Sequence, residues 1–325
     1  MTWVRAHICL LSALIAALAI PGALSAGEPA RHSLLAGLGR PLEDGGAEGG
    51  ENTTRHALPS GVRVLTDVAY GPAARQRMDV YLPARQVTGA PVILMVHGGA
   101  WRLGDKGMRS VVDNKVARWV SRGFIFVSIN YRLLPAANPE EQAHDVGQAL
   151  ALAQSRAAAW GADATKFILM GHSAGAHLVA LLTASPAATL QHGARPWLGA
   201  VALDSAAFDV TQLMAGRHLP LYDRAFGKDP AFWRRVSPLH QLSAAAYPLL
   251  AVCSTRRADA CPQAHGFERK AAALGVRVVV LEQDLSHREI NQSLGLDSGY
   301  TRAVEAFMGS LDPAVQQALL SRPLD

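Results

Sequence analysis

Eight short strand-like runs recur along this chain, separated by longer segments with helical character, and this rhythm restricts the fold more than any other feature. The runs are 62–68, 76–82, 91–96, 124–129, 167–170, 199–203, 249–253 and 276–281. Pro91-Val92-Ile93-Leu94-Met95-Val96 is apolar throughout. A continuous apolar run of that length fits a strand covered on both faces. In 76–82 only Met78, Val80 and Leu82 alternate, as in a strand with one buried face. Helix signals fall between the runs. Asn138-Pro139-Glu140-Glu141 offers a cap residue, a proline for the first turn and two acids for the positive helix end. Cys261-Pro262 opens a second helix. Repeated strand–helix units predict an α/β fold, a mostly parallel central sheet with helices on both faces.

That rhythm begins near residue 56 and fades near 310, which bounds one folded domain at 56–310. With 50% hydrophobic and 18% charged residues the chain is too apolar for a disordered protein. Its net charge of +5 is not gathered into any basic run, so a nucleic-acid partner is not expected. Residues 1–26 read as a secretory signal peptide. Arg5 precedes the apolar stretch Ile8–Ile20, the breaker Pro21-Gly22 follows, and small residues flank Ala26. Thirteen apolar residues are short for a bilayer span, so no stable span remains once the segment is cleaved. The alternative is an uncleaved tether. Residues 27–55, rich in Gly, Ala and acids, read as a flexible linker, and 311–325 as a C-terminal tail. An exported protein, periplasmic or secreted, is the expectation.

Cleavage would remove Cys9 and leave Cys253 and Cys261. An even count in an exported chain suggests a disulfide between them; two independent small core residues are the alternative. Residues 204–247 interrupt the rhythm and carry Phe208, Tyr222, Phe226, Phe232, Trp233 and Tyr247. Such an insertion is either a lid over a site or the helices of an ordinary crossover.

The chemistry concentrates where strands end. Gly171-His172-Ser173-Ala174-Gly175 follows one apolar run and precedes the helix-compatible stretch Ala174–Thr183. A G-x-S-x-G at a strand-to-helix turn presents the serine hydroxyl at the carboxyl end of a sheet. The flanking glycines avoid collisions with neighbouring backbone. His97-Gly98-Gly99-Ala100-Trp101 follows the strongest apolar run. Its backbone N–H groups, with Gly99 and Ala100 as the chosen donors, could join that of Ala174 around a developing oxyanion. His97 is expected to brace this loop.

A serine hydroxyl needs a base. In a sheet of this kind the base follows the acid, and the acid follows the serine. His287, the last histidine, lies after the last run and is assigned as base. His172 and His177 are expected to point elsewhere. For the acid, Asp259 follows the run 249–253 and is chosen; Asp204 and Asp209 are its rivals, and Asp284 lies within the His287 loop. Cys253 and Cys261 bracket Asp259. No metal-ligand spacing or phosphate-binding glycine loop is present, so neither metal nor cofactor is expected.

Together these residues resemble the α/β-hydrolase superfamily over about Val62–Met308. The segments 97–101, Asn130-Tyr131-Arg132-Leu133 and 171–175 look like the esterase branch, which includes hormone-sensitive-lipase-like, kynurenine-formamidase-like and feruloyl-esterase-like proteins. Leu285-Ser286-His287-Arg288-Glu289-Ile290-Asn291 is most similar to the last two groups. Ala100 departs from the pattern, since lipase-type members carry a third glycine there and formamidases commonly a tyrosine. The resemblance implies a serine hydrolase acting on small-molecule carboxylic esters through an acyl-enzyme. An N-formyl hydrolase of the arylformamidase type, and a hydrolase fold kept as a non-catalytic binding module, are the alternatives. Asn130-Tyr131-Arg132 is expected to support the loop beneath the oxyanion site.

Overall fold

The structure, a computed structural model, describes residues 58–322. The signal-peptide and linker readings at 1–26 and 27–55 lie outside the described residues. Eight strands form one sheet: β1 (Arg63–Ala69), β2 (Arg77–Leu82), β3 (Ala90–Val96), β4 (Ile125–Ile129), β5 (Ala162–His172), β6 (Gly199–Leu203), β7 (Leu249–Ser254) and β8 (Val278–Gln283). Their order is β1-β2-β4-β3-β5-β6-β7-β8. The pairings β1–β2 and β2–β4 are antiparallel; those from β4 to β8 are parallel. All eight sequence-predicted runs overlap these strands, and β5 starts five residues earlier than its run.

The helices are α1 (Arg109–Trp119), α2 (Pro139–Trp160), α3 (Ala174–Ala184), α4 (Ala187–Gln191), α5 (Val210–Ala215), α6 (Pro220–Phe226), α7 (Pro230–Arg235), α8 (Pro238–Gln241), α9 (Ala260–Ala273), α10 (His287–Gln292), α11 (Gly299–Gly309) and α12 (Pro313–Leu320). The predicted start of α2 is present in full. Asn138 accepts from the N–H groups of Glu140 and Glu141, while Glu141 reaches back to the Asn138 N–H.

The apolar run of β3 explains the two layers. Val92, Leu94 and Val96 face one side with Val146 and Leu150 of α2 and Leu178 of α3. Ile93 and Met95 face the other with Val112 and Trp119 of α1 and Val304 and Phe307 of α11. All five of these β3 side chains are fully buried. At about 1.5–3 kcal/mol for each large apolar side chain, a run buried on both faces anchors the domain. Among the described residues no helix is long and apolar enough to cross a membrane.

Two segments differ from their sequence reading. Residues 313–320, expected as a tail, form α12, which packs on α11 and buries Val315. The insertion at 204–247 folds into α5–α8 with many of its aromatics turned inward. Phe208 stacks on Phe267 of α9 at 5.0 Å, and Tyr222 and Phe226 are buried against Trp101.

The parallel register carries the functional consequence. Val96 pairs with Gly171, His172 with Leu203, Leu203 with Val252, and Ser254 with Gln283. The carboxyl ends of β3, β5, β6, β7 and β8 therefore finish near one rim. The segments that follow them carry His97–Trp101, Ser173, Asp204, Arg257 and His287. In open α/β sheets, ligands bind outside the carboxyl ends of the strands.

Candidate active site

Ser173 occupies a turn between β5 and α3 with φ 55° and ψ −117°. A side chain resists that conformation, at a cost of order 1–3 kcal/mol. Close packing holds the turn. A Cβ at Gly175 would sit 2.2 Å from the Val96 carbonyl oxygen, and one at Gly171 would sit 2.3 Å from that of Gly175. Only glycine lets α3 start this close to β3. The Ser173 N–H donates to the Leu203 carbonyl, tying the turn to the end of β6.

Backbone strain gathers at this rim. Among the described residues five non-glycine residues have positive φ: Asp67, Ala100, Trp101, Ser173 and Asp204. Four of these belong to the loop after β3, the serine turn and the end of β6. Strained residues persist where surrounding structure over-determines them, and they cluster at functional sites.

The loop after β3 is braced from below, as expected of His97 and Asn130-Tyr131-Arg132. The His97 ring stacks on Tyr131 at 4.5 Å, and the Tyr131 hydroxyl donates to the His97 carbonyl. Asn130 accepts from the Lys106 N–H and donates to Asp105. Arg132 is ion-paired with the fully buried Asp145 at 2.7 Å. The Trp101 carbonyl accepts from the Leu134 N–H and from Gln142. The loop also touches α3: Trp101 Nε1 donates to His177 Nδ1 at 3.2 Å, and His177 Nε2 donates to the Val236 carbonyl at 2.7 Å. Burial holds the His177 imidazole down at about 4, so it is neutral and joins the loop to the insertion. Ala174 opens α3, where first-turn N–H groups have no helical acceptor. Gly99, Ala100 and Ala174 thus lie on two segments in contact.

His287 is the first residue of α10. Ser286 caps that helix, accepting from the Glu289 N–H while Glu289 accepts from the Ser286 N–H. His287 Nδ1 lies 2.5 Å from Asp204 Oδ2. Burial first, and then His172, lower the imidazole below the ordinary 6.5; the Asp204 bond acts against them. The helix N-terminus at which His287 sits also disfavours the charged ring. Asp204 is fully buried, and burial alone would raise its carboxyl. The His287 bond, the Arg257 charge and the Ser254 N–H reverse that and keep it ionised.

The structure therefore does not bring the chosen acid, Asp259, to His287. Asp259 stands at the N-terminus of α9, its side chain 44% exposed and ion-paired with Arg257 at 3.3 Å. The rival Asp204 makes the contact. The reason is register. Asp204 follows the last residue of β6 directly, beside the serine turn, whereas five residues separate β7 from α9 and carry Asp259 outward. Asp209 instead caps α5, and Asp284 pairs with Arg256. Cys253 and Cys261 are bridged, with their Cα atoms 5.1 Å apart.

Two site residues departed from the sequence reading. His172, expected to point away, packs its ring 4.5 Å from that of His287 and donates from Nε2 to the His287 carbonyl. As the last residue of β5 its side chain belongs to the rim, which the apolar run 167–170 did not reach. Arg257 was not singled out. Its Nη1 lies 2.9 Å from Asp204 Oδ2 and 3.0 Å from His287 Nδ1. Among the described residues no three His, Cys, Asp or Glu side chains gather as a metal-binding group.

Residues 78–208 match the BD-FAE family. A probable isoprenylcysteine alpha-carbonyl methylesterase of Oryza sativa is 34% identical over 118 residues, covering 36% of this chain and 27% of that protein. The probable carboxylic ester hydrolase LipM of Mycobacterium tuberculosis is 29% identical over 272 residues, covering 74% of this chain and 59% of LipM. The chain thus spans roughly a quarter to three-fifths of the length of these two relatives. A truncated carbohydrate esterase from gut microbiota superposes with a TM-score of 0.66 at 18% identity, covering 77% of this chain and 96% of that one. With its strand order, the serine turn after β5 and these likenesses, the chain is a member of the α/β-hydrolase fold whose residues 78–208 carry the BD-FAE sequence pattern.

Proposed function

We propose that the protein is a carboxylic ester hydrolase working through Ser173, His287 and Asp204. One observation carries the reading: a fully buried carboxylate, Asp204, faces His287 Nδ1 at 2.5 Å, on the rim where the strained Ser173 turn also ends. Asp204 fixes the proton on Nδ1, which leaves Nε2 as the basic nitrogen. Nε2 takes the Ser173 proton as Oγ attacks the acyl carbon. The N–H groups of Gly99, Ala100 and Ala174 hold the resulting oxyanion. Collapse breaks the ester C–O bond, and the imidazolium gives its proton to the departing alcohol. Water then attacks the acyl-Ser173, its proton passing to Nε2; the carboxylic acid leaves and the serine recovers its proton. This cycle uses no cofactor.

An ester panel tests it. Wild-type protein should hydrolyse p-nitrophenyl esters, with acyl chain length and methyl ferulate as the variables. N-formylkynurenine in the same panel separates the arylformamidase reading. Ser173→Ala should be inactive with an unchanged circular dichroism spectrum. Retention of more than about a hundredth of the rate would place the nucleophile elsewhere, since loss of a triad nucleophile costs on the order of 10⁶. Absence of turnover and of fluorophosphonate labelling in folded protein would favour the binding-module reading.

We also propose that residues 1–26 direct export and are removed. The Cys253–Cys261 bridge supports this, because such bonds persist in oxidising compartments.

A further inference from the structure

The segment after β7, where the sequence order led to an acid, delivers a cation to the site. Arg257 Nη1 donates to Asp204 Oδ2 at 2.9 Å and to the Asp204 carbonyl at 3.2 Å. Nη2 pairs with Asp259 Oδ1 at 3.3 Å. The Arg257 side chain is only 16% exposed, and the buried Tyr222 of α6 shares a hydrogen bond with it. The segment itself is pinned. The Ser254 N–H donates to Asp204 Oδ1, the Ser254 hydroxyl donates to the Leu285 carbonyl, and Arg256 pairs with Asp284 and Glu289 on either side of His287.

Asp204 Oδ2 therefore receives two donors, the imidazole Nδ1–H and the guanidinium. The 3.0 Å approach of Nη1 to Nδ1 is not a hydrogen bond, because the Nδ1 proton points to Asp204. It is a fixed positive charge beside a ring that must itself become positive during turnover. Like charges this close disfavour the second ionisation.

We propose that Arg257 is a positioning residue that locks Asp204 against His287 as a carboxylate and, as a fixed cation, weakens the grip of the imidazole on a proton. The proposal rests on the role given to His287 above. It means that the base form of His287 persists into mildly acidic solution. Asp259 then has a function of its own: by pairing with Arg257 it tempers that cation.

The other groups around His287 do not duplicate this charge. His172 on β5 lies against its ring, and Asp204 ends β6. Arg256 is paired with Asp284 and Glu289, which lie on the His287 segment itself; Arg288 is the next residue. On α11, the Tyr300 hydroxyl donates to the Ile290 carbonyl. On α1, Lys115 Nζ and Asn114 donate to the Asn291 and Gln292 carbonyls at the far end of α10. The direction already noted for the ring, below 6.5, agrees with this surrounding.

The test is a ¹⁵N NMR titration of the His287 ring in the full chain, beside the pH profile of kcat/KM on a p-nitrophenyl ester. Arg257→Met should move the His287 titration up by about one pH unit, and the acid limb of the rate with it. Arg257→Lys should restore most of the wild-type position. Asp259→Asn, at a half-exposed site where folding is not at risk, should move both in the opposite direction. A titration that is the same in wild type, Arg257→Met and Asp259→Asn overturns the proposal, as does a fall in rate at every pH with no movement of the limb. If Arg257→Met does not fold, the downward movement in Asp259→Asn decides the matter alone. Because the NMR titration needs no turnover, a failure of the ester reading would appear separately, as absent hydrolysis with the titration differences still present.

Discussion

Replacing Asp204 by asparagine should almost abolish turnover, and the structure shows why a neutral isostere cannot substitute. The carboxylate accepts three hydrogen bonds: at Oδ2 from His287 and Arg257, and at Oδ1 from the Ser254 N–H. An amide has one acceptor oxygen and one donor nitrogen. With the amide nitrogen toward His287, the ring must carry its proton on Nε2, where it cannot accept one from Ser173. Loss of the correct tautomer costs about 10⁴ in kcat, or about 5.4 kcal/mol. With the amide oxygen toward His287, the NH₂ faces the buried Ser254 N–H, donor against donor, at about 1–3 kcal/mol. Either way Arg257 loses its buried counter-charge. Breaking such a pair costs about 3–5 kcal/mol, lessened here because Asp259 remains 3.3 Å away. The expected outcome for Asp204→Asn is a kcat lower by about 10⁴ and an unfolding free energy lower by about 2–4 kcal/mol. Asp259→Asn should keep kcat at the pH optimum within about tenfold of wild type, because Asp259 acts on the site only through Arg257. The assay is steady-state ester hydrolysis across pH, with urea unfolding of the same preparations. Loss of four decades in Asp259→Asn, with Asp204→Asn within tenfold of wild type, would refute the reasoning and return the acid to the loop after β7.

Three further outcomes follow from the packing around the rim. His177 titrates at 6.5 when unfolded and at about 4 when buried, so between those values only the unfolded chain holds the extra proton. Stability should therefore fall as pH drops from 6.5 to 4, by about 3 kcal/mol from this group, and His177→Gln should show that much less slope in pH-dependent urea unfolding. An unchanged slope would contradict the burial of a neutral ring. The Cys253–Cys261 bridge spans eight positions, and its loss in the double serine variant should lower the unfolding free energy by about 2.5 kcal/mol on loop entropy. Two free thiols in non-reducing mass spectra of exported protein would contradict the bridge. Gly175→Ala would place a Cβ 2.2 Å from the Val96 carbonyl and 2.6 Å from that of His97. It should cost about 3 kcal/mol or more and remove activity; a variant of wild-type stability would contradict the close approach of α3 to β3.

The sheet and the serine turn were legible in the sequence because each rests on a local requirement. A strand buried on both faces must be apolar throughout, as 91–96 is, and a turn as crowded as 171–175 must be flanked by glycines. His287 was legible from chain order. The carboxylate partner of its Nδ1 was not, because Asp204 and Asp259 both follow strands, and only the inter-strand register distinguishes a residue at the rim from one carried away by a longer loop. A signal was present all the same: Asp204 follows five fully buried residues without a spacer, and Arg256-Arg257 just before Asp259 are two cations in need of carboxylates. The place of His172 was not legible either, because the apolar run ends at Met170, whereas β5 continues through His172 and sets its ring against His287. The aromatics of 204–247 could not be placed by periodicity. They pack across the insertion, onto Trp101 and Phe267, and not along one helix face.

The most direct measurement is active-site labelling with a fluorophosphonate, followed by tryptic mapping. The hydroxyl of Ser173 should carry the adduct, on the peptide Phe167–Arg217, since Pro196 blocks cleavage after Arg195, and labelling should disappear in His287→Ala while the fold persists. Folded wild-type protein that takes no label, or takes it on a serine outside that peptide, would contradict the assignment of the rim as a nucleophilic site.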